Sequence, residues 1–163
     1  MPIMSITNGF RLPRRDPCPY CRNLAGEPSP KSGPCAVVTE DELTRTFVNP
    51  FSFGGCPGHL LVIPKRHVES LFDLEPAEEA ALMTAMMQAA RAVRAVLDPD
   101  GVLLIQRNGI AAGQEVPHVH FHVIPRAAGT PVPPPEWVPL IEYAERQALA
   151  HRLSDYVKGL SVV

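Results

Sequence analysis

The sequence has 163 residues and a mass of 17.8 kDa, a size typical of a single domain. Lys and Arg number 15 and Asp and Glu number 17, so the formal net charge of −2 excludes a general attraction to nucleic acid or to an anionic membrane. Apolar residues make up 45% of the chain and charged residues 20%, values that exclude disorder as its main state.

The sequence carries no sign of a membrane span or of secretion. Its longest apolar runs fall far short of the roughly 18 residues that a bilayer span needs. Residues 1–15 contain three arginines without a following apolar run, so a secretory signal is not predicted. We therefore expect a cytoplasmic protein that binds neither nucleic acid nor membrane.

The first third of the chain predicts an arm and three strands. Residues 1–17 show no regular pattern and are interpreted as a flexible arm. Short runs rich in β-branched and aromatic residues predict strands over 35–38 and 44–48, joined as a hairpin. Residues 59–63 predict a third strand, which a Gly-rich stretch precedes and Pro64 ends.

A long helix is predicted over residues 76–97. Pro76 is favoured in a first helical turn, and acidic residues lie near the positive end of the helix dipole. Apolar residues recur every three or four positions and predict a buried face formed by Leu82, Met86, Ala89, Val93 and Val96. The spacing of Met83, Met86 and Met87 is interpreted as core packing for all three.

The remaining elements complete an α+β domain. Residues 102–106 and 118–124 predict two more strands, and residues 136–158 predict a helix. The inner face of this helix would be formed by Leu149, Leu153 and Tyr156. The order of elements favours a five-stranded antiparallel sheet with a long central helix and a C-terminal helix.

Three histidines alternate strictly in residues 118–122. Because successive side chains of a strand point to opposite faces, His118, His120 and His122 share one face. The other face carries Val119, Phe121 and Val123, which can pack on the long helix. The outer two histidines would lie about 13 Å apart at Cα, too far for one zinc ion with bonds of about 2.0 Å. The histidines must therefore divide metal binding, nucleophilic attack and proton transfer among them.

The segment His118-Val-His120-Phe-His122-Val-Ile resembles the motif of the histidine triad (HIT) family of nucleotide hydrolases and transferases. Gly113-Gln114 is similar to the Gly-Gln that precedes the triad in that family. Residues 58–67, Gly-His-Leu-Leu-Val-Ile-Pro-Lys-Arg-His, resemble its other signature. The resemblance covers residues 18–126, which we interpret as a HIT domain, followed over 127–163 by a Pro-rich linker and a C-terminal helix.

The resemblance implies covalent catalysis. His120 would attack the α-phosphorus of a nucleotide, such as a dinucleoside polyphosphate or a nucleoside phosphoramidate, and form a nucleotidyl-histidine that water or another acceptor resolves. His122 would hydrogen-bond the phosphate or the leaving oxygen, and His59 would line the same site from the neighbouring strand. Two covalent steps then replace one difficult displacement. The resemblance also implies a homodimer.

The resemblance further implies a set of substrate-binding residues: Asn49, Asn108, Gly113, Gln114 and Val116. Backbone N–H groups and the amide of Gln114 would hold phosphate oxygens, a geometry that stabilises developing negative charge. Asn49 stands where the family places a ribose-binding Asn or Asp, although an Asn before Pro50 equally suits a plain turn.

The sequence departs from the family pattern near this site. Two extra residues lie between Asn49 and His59, around Gly54-Gly55-Cys56, so we expect a different wall for the nucleoside pocket. Arg107 stands where the family often has Asn, and Glu115 replaces a Ser common in some branches. These departures leave the histidine chemistry intact and bear on substrate choice.

The pair Cys18-Pro-Tyr-Cys21 offers two thiolates, which leave a tetrahedral zinc site two ligands short. Some bacterial and related branches of the family add two histidines, and this resemblance implies a zinc site formed by Cys18, Cys21, His67 and His118. Four protein ligands leave no position for water, so the zinc would be structural. A redox pair is disfavoured because no obvious strand and helix start flank the cysteines, and free thiols are the other alternative.

The other candidates are interpreted as structural or solvated. Cys35 and Cys56 are expected to be small buried or loop residues rather than ligands. His151 is expected on a solvated helix face. Lys65-Arg66 has the charge to attract polyphosphate, but a solvated turn is the commoner role of such a pair.

Three functions follow from these patterns. The first is a nucleotidyl hydrolase or transferase working through His120. The second is a non-catalytic nucleotide-binding module organised by zinc. The third is a metalloenzyme in which adjacent triad histidines hold an open catalytic ion.

Overall fold

The structure is a computed structural model that describes residues 5–7, 10–13, 15–51, 57–131 and 140–160. Its strands are β1 (Ser5–Thr7), β2 (Phe10–Leu12), β3 (Ala36–Glu40), β4 (Thr44–Val48), β5 (Leu60–Pro64), β6 (Gly101–Gln106) and β7 (Phe121–Arg126). Its helices are α1 (Pro19–Leu24), α2 (Pro76–Leu97) and α3 (Tyr143–Leu160), with 3₁₀ turns at Leu71–Asp73 and Ile110–Ala112.

Five strands form one antiparallel sheet in the order β3-β4-β5-β7-β6. The first three follow one another as a meander, whereas α2 and β6 separate β5 from its neighbour β7 along the chain. In the β5–β7 ladder Leu61 lies opposite His122, and in the β6–β7 ladder Gln106 lies opposite Phe121. The predicted α+β class and the five-stranded antiparallel sheet are confirmed.

Asp41 closes the turn between β3 and β4. Its carboxylate accepts hydrogen bonds from the backbone N–H groups of Leu43 and Thr44 and from the Thr44 hydroxyl, at 2.7–2.9 Å. This geometry satisfies N–H groups that a tight turn leaves unpaired. The hairpin predicted from the sequence is confirmed, with its strand bounds moved by at most two residues.

The main core lies between the sheet and helices α2 and α3. Alternate strand residues face it, including Leu60 and Val62 of β5 and Val123 of β7. Val119, just before β7, joins the same cluster and is fully buried, and Phe121 packs against it. Burying one such aliphatic side chain stabilises the fold by roughly 1.5–3 kcal/mol. The strand residues that alternate with these core residues must therefore point to the other face of the sheet.

Helix α2 is fixed at its start by charge. The Glu78 carboxylate accepts a hydrogen bond from the backbone N–H of Glu75 and forms an ion pair with Arg66 at 2.6 Å. The helix ends at Asp98, which adopts a left-handed conformation. A carboxylate in the first turn and a left-handed residue after the last are ordinary stabilising features of helix ends.

The inner face of α2 is largely as predicted. Leu82, Met86, Ala89 and Val93 are buried, and Val96 packs against them. The prediction of core packing for Met83 and Met87 is wrong, since these side chains are 55% and 38% exposed. Each directly follows a member of the buried face and is therefore turned about 100° away from it around the helix.

Helix α3 begins at Tyr143, later than the predicted start at 136, and residues 132–139 lie outside the described part of the chain. Leu149 and Leu153 are buried and Tyr156 packs against the core, which confirms the predicted inner face. None of the helices among the described residues combines the length and the apolar character that a bilayer span demands.

The N-terminal region contains three elements that the sequence did not predict. Strands β1 and β2 pair antiparallel, and Leu12 of β2 is fully buried. Helix α1 starts directly after Cys18, with Pro19 in its first turn. It packs through Tyr20 and Leu24 on a small cluster formed by Phe47, Leu61 and Ile63. The flexibility of residues 1–17 and the domain boundaries at 17/18 and 126/127 stay predictions.

Strand β7 starts at Phe121, three residues later than predicted, so His118 and His120 precede it. The backbone N–H of Val119 donates to the carbonyl of Val68 at 2.6 Å, and that of His118 donates to Val116 at 2.9 Å. One distant and one local backbone partner, rather than a neighbouring strand, hold the segment that leads into β7.

Candidate active site

The three histidine rings lie on one side of the sheet, although only His122 belongs to a strand. The rings of His120 and His122 are 4.9 Å apart between centroids. Tyr20 lies edge-on to His118 at 5.7 Å and to His120 at 5.1 Å. Each histidine is at most 5% exposed. The alternation in the sequence therefore predicted the common side, because Val119 and Val123 occupy the core on the other side.

One hydrogen bond sets the protonation pattern of His120. Its Nδ1 lies 2.7 Å from the backbone carbonyl of His118, to which it must donate. A neutral imidazole with its hydrogen on Nδ1 carries the lone pair on Nε2. Burial lowers the pKa of His120 and the charge of Arg107 lowers it further, while the bond to the carbonyl opposes this shift. The neutral ring is therefore favoured near neutral pH.

His122 and His59 form a buried pair next to His120. His122 Nδ1 and His59 Nε2 are 2.9 Å apart, while Nε2 of His122 is buried and has no hydrogen-bond partner among the described residues. Burial lowers the pKa of His122 to about 2 and that of His59 to about 3. Both rings are therefore neutral near neutral pH, with one hydrogen between them.

Two proton arrangements satisfy this pair. If His59 Nδ1 donates to the carbonyl of Phe51 at 3.2 Å, His59 Nε2 accepts from His122, whose Nε2 is then an acceptor. If the amide of Asn49 instead donates to His59 Nδ1 at 3.1 Å, the hydrogen between the rings reverses and His122 Nε2 becomes a donor. An acceptor can take a proton from water, and a donor can bind a phosphate oxygen.

Asn49 is 5% exposed and is oriented by its own turn. Its Oδ1 accepts a hydrogen bond from the backbone N–H of Phe51 at 3.1 Å, which turns its amide nitrogen toward His59. Asn49 also borders the cavity described below. Asn49 thus stabilises a turn and also borders the cavity, and ribose binding by Asn49 stays a prediction.

A cavity of about 440 Å³ opens beside His120 and His122. Its volume lies within the range of small-molecule sites. Gly113 and Val116 border it near the histidines, as do the charged residues Arg107 and Glu115. Tyr20, Phe47 and Leu61 contribute apolar surface, and residues 27–35 form another part of the wall. The lining of the cavity therefore combines apolar side chains with charged ones, which include Arg22, Lys31 and Arg146 besides Arg107 and Glu115.

Gln114 braces a loop instead of reaching the cavity. It is 3% exposed, and its Oε1 accepts a hydrogen bond from the backbone N–H of Gly109 at 2.7 Å. Both hydrogens of its amide donate to backbone carbonyls, those of Glu69 and Val116, at 2.8 and 3.0 Å. One of these bonds would have to break for the amide to hold a phosphate oxygen, and phosphate binding by Gln114 stays a prediction.

Asn108 has a similar bracing role. Its Oδ1 accepts a hydrogen bond from the backbone N–H of Leu71 at 2.9 Å, and its amide bonds the side chain of Gln106. Asn108 is absent from the described lining of the cavity. The residue expected from the sequence to bind substrate therefore ties the loop after β6 to the 3₁₀ turn at Leu71–Asp73 in this structure.

Cys18, Cys21, His67 and His118 form a cluster whose ligand atoms all lie within 4.8 Å of one another. Nδ1 of His118 is 3.6 Å from Cys18 Sγ and 3.7 Å from Cys21 Sγ, and Nδ1 of His67 is 3.2 Å from Cys21 Sγ. In a tetrahedral zinc site, bonds of about 2.3 Å to sulfur and 2.0–2.1 Å to nitrogen place these atoms about 3.6 Å apart. The cluster therefore has the spacing of a four-ligand metal site.

The outer nitrogens of the two histidines support this assignment. His118 Nε2 donates to the carbonyl of Pro64 at 2.9 Å, which leaves the lone pair on Nδ1, the atom that faces the thiols. His67 Nε2 lies 3.7 Å from a Glu69 carboxylate oxygen. Carbonyl or carboxylate partners of this kind orient metal-binding histidines in many proteins. Burial and the Cys18 thiol raise the pKa of Cys21 to about 11, a shift that a bound cation would reverse.

The structure adds two residues that sequence reasoning missed. Tyr20 lies between the two cysteines and contacts the rings of His118 and His120 from α1. Arg146 of α3 is 2% exposed and donates to the carbonyls of Ser32 and Pro34 in the loop that borders the cavity. An aromatic residue inside the cysteine pair was a usable signal for Tyr20, whereas no local pattern marks Arg146.

The remaining candidates lie away from the histidines or outside the description. Lys65 and Arg66 form ion pairs with Glu40 and Glu78. His151 is exposed on α3, as expected. Cys35 is half-buried beside the cavity and lies outside the metal-ligating cluster. Cys56 and the two-residue insertion around it lie outside the described residues.

The fold and this site define a histidine triad protein: an antiparallel sheet whose histidine segment presents a neutral central imidazole to a ligand-sized cavity. A family model described as the HIT domain matches residues 31–129, and the chain belongs to that family. The family includes nucleotide hydrolases, as one of the relatives below illustrates.

Two relatives show the range of the family. The chain is 40% identical over 114 residues to an uncharacterized HIT-like protein of Methanocaldococcus jannaschii, a match that covers 69% of this chain and 81% of the relative. It is 43% identical over 90 residues to the asymmetrical bis(5'-nucleosyl)-tetraphosphatase of Schizosaccharomyces pombe, covering 55% of this chain but only 48% of that enzyme.

A solved structure of a zinc-bound histidine triad family protein from Mycobacterium smegmatis shares the fold. The TM-score is 0.70 at 29% sequence identity, and the superposition covers 89% of this chain and 96% of that one. A zinc-bound relative and the four-ligand cluster of this chain agree that a metal site is compatible with this fold.

The depressed pKa of His59 predicts a specific loss of stability in acid. The folded-state pKa of about 3 lies below the ordinary value of 6.5, so between these values only the unfolded chain binds the proton. Each pH unit below about 6.5 then lowers the free energy of unfolding by about 1.4 kcal/mol. Urea unfolding at pH 7 and pH 5 should show that His59→Gln removes about 2 kcal/mol of this pH dependence. The exposed-residue control His151→Gln should leave it unchanged, and an equal dependence in both variants would contradict the assignment.

Proposed function

We propose that this protein cleaves nucleotides at the α-phosphorus through a covalent nucleotidyl-histidine formed on His120. The observation that carries the proposal is the hydrogen bond from His120 Nδ1 to the carbonyl of His118, because it leaves the Nε2 lone pair of a neutral ring beside the cavity. Substrates would be dinucleoside polyphosphates, nucleoside phosphoramidates or similar compounds. Membership of a family that includes a bis(5'-nucleosyl)-tetraphosphatase supports this class.

The chemistry proceeds in two displacements. In the first, the Nε2 lone pair of His120 attacks the α-phosphorus, and the bond to the leaving group breaks with its electron pair on that group, which takes a proton from water where it is basic. In the second, water attacks the phosphorus, the P–N bond breaks and its electron pair returns to Nε2. The proton of the attacking water passes to His122 Nε2, in the arrangement that makes this nitrogen an acceptor, and then to solvent.

Other residues position these groups. His59 holds the ring of His122 through their 2.9 Å contact, and Asn49 or the carbonyl of Phe51 selects the hydrogen arrangement. Asn49 would contact the ribose with the hydrogen-bonding capacity that its turn leaves unused. Gly113 and Val116, which border the cavity near the histidines, would contact the phosphate.

The Cys18, Cys21, His67 and His118 cluster fits a structural zinc ion. Two thiolates and two imidazoles match the preference of zinc for sulfur and nitrogen, and four protein ligands close its tetrahedral shell. When bound, the ion would supply a crosslink between the start of α1, the loop after β5 and the histidine segment. The free cysteines of this cluster agree with the reducing cytoplasm as the location of the protein.

The open edge of the sheet would form a homodimer. Among the described strands, β6 pairs with β7 alone, and its Leu104 is 40% exposed. Helix α3 covers β3 and β4, which leaves α2, with the exposed Met83 and Met87, as the helix nearer β6. An unpaired edge with exposed apolar side chains is a typical pairing surface between chains.

The covalent step predicts an adduct that depends on His120. Brief incubation with a dinucleoside polyphosphate, followed by an alkaline quench that preserves the P–N bond, should add one nucleoside monophosphoryl group to the intact mass. His120→Ala should abolish the adduct and reduce turnover by about 10³-fold or more, while His151→Ala should retain both. Nucleotide binding without adduct or turnover would instead identify a binding module, and chelator-sensitive turnover without an adduct would identify a metalloenzyme.

The cluster predicts one zinc ion per chain. Elemental analysis of the dialysed protein should find about one equivalent in the wild type and in Cys35→Ser, because Cys35 lies outside the cluster. The double variant Cys18→Ser and Cys21→Ser should lose the metal, since hydroxyls replace both thiolates. Retention of zinc by the double variant, or its absence from wild type supplied with zinc, would exclude this site.

The exposed edge predicts a dimer of about 36 kDa, twice the chain mass of 17.8 kDa. Light scattering coupled to gel filtration should show that Leu104→Glu converts it to a monomer, because a buried unpaired charge opposes association. The control Leu43→Glu changes a side chain of similar exposure, 37%, in the turn between β3 and β4 and should leave the dimer intact. A monomeric wild type would rule out the pairing.

A further inference from the structure

Arg107 is a cation beside the triad histidines. It follows Gln106, the last residue of β6, which pairs with Phe121 as the final pair of the ladder. Arg107 and His120 are the residues next to that pair on the two chain segments. Both Arg107 and His120 border the cavity, and Arg107 is half-buried.

The guanidinium of Arg107 has no partner within the described part of the chain. It takes part in none of the ion pairs and donates no side-chain hydrogen bond there, although it carries five N–H donors. Glu115 borders the same cavity but does not pair with it. Withdrawing a guanidinium from water without a partner is unfavourable, so the site is improved by any anion that enters the cavity.

The loop before the triad holds the Arg107 side chain in place. Its Cδ and Nε would lie 3.6 and 3.7 Å from a Cβ built on Gly113, so the stem packs alongside the backbone at this point. Gly113 itself adopts φ +79°, a left-handed conformation that suits glycine. The guanidinium is thus positioned by contact with the loop that borders the cavity, rather than by an acidic side chain.

Arg107 also contributes to the electrostatics of the histidines. Burial is the main cause that lowers the pKa values of His59, His120 and His122, and the charge of Arg107 lowers each of them further. Glu115 is exposed, so solvent and salt screen its negative charge more effectively than that of a half-buried group. Arg107 therefore places a positive charge beside the cavity in a protein whose net charge is −2.

We propose that Arg107 forms a subsite for an anionic leaving group attached to the α-phosphorus. The proposal rests on the proposed function and names its substrate class: nucleotides whose leaving group carries its own negative charge, such as a further phosphate, in preference to phosphoramidates with an uncharged amine. A guanidinium fork matches two oxygens of one phosphate group, and such charge-assisted bonds are stronger than neutral ones. When the α-phosphorus lies at His120, the guanidinium of Arg107 would contact the leaving group that is attached to it.

Equilibrium binding tests the subsite without turnover. In a His120→Asn background, titration calorimetry would compare AMP with ADP, whose β-phosphate takes the place of the leaving group. Adding Arg107→Gln should lower the affinity for ADP about 10-fold or more and the affinity for AMP less than about 3-fold. The matched control Arg91→Gln removes the same charge from the exposed surface of α2 and should change neither affinity.

Two binding results would overturn the subsite. If Arg107→Gln lowered the affinities for AMP and ADP equally, the guanidinium would contact the α-phosphate instead. If the affinity for ADP were unchanged, the guanidinium would not contact the ligand. A failure of AMP to bind would overturn the subsite together with the proposed function.

Turnover separates the two proposals. In the otherwise wild-type chain, Arg107→Gln should lower kcat/KM about 10-fold or more for a dinucleoside tetraphosphate and less than about 3-fold for a nucleoside phosphoramidate. Equal losses on both substrates would refute the subsite while leaving the nucleotidyl chemistry intact. A wild type that hydrolyses neither substrate but binds ADP through Arg107 would refute the catalytic proposal and support the subsite.

Discussion

The burial of Val119 and Val123 is the constraint on which the site depends. Both side chains are fully buried in the main core, against the layer formed by α2 and α3. The residues between and around them must then point to the opposite side, where the core offers no room for them. Apolar packing on one side of the sheet thus places His120 and His122 at the cavity on the other, before any polar contact contributes.

His118 links the candidate metal cluster to His120. Its ring contributes Nδ1 to the cluster and donates from Nε2 to Pro64, while its own backbone carbonyl accepts the hydrogen of His120 Nδ1. A shift of this residue would disturb the cluster and the lone pair of His120 together. The candidate metal cluster and the ring of His120 are therefore coupled through the backbone of His118.

The sequence predicted what local periodicity can encode. The apolar spacing located α2 and its inner face, and the alternation of histidines placed three rings on one side. It missed the late start of β7, because the partner of Val119 is the carbonyl of Val68, far away along the chain. The hydrogen bond from the Gln114 amide to the carbonyl of Glu69, 45 positions earlier, could not be predicted for the same reason. Both are contacts between distant segments, which local patterns do not encode.

The buried Arg146 of α3 holds one wall of the cavity in place. It belongs to α3, beyond the residues 31–129 that match the family, yet it secures the loop at Ser32 and Pro34 that walls the cavity. The histidines, by contrast, are anchored by the sheet and by the Cys/His cluster. Substitutions in α3 would therefore reshape one wall of the cavity while leaving the contacts of the histidine rings in place.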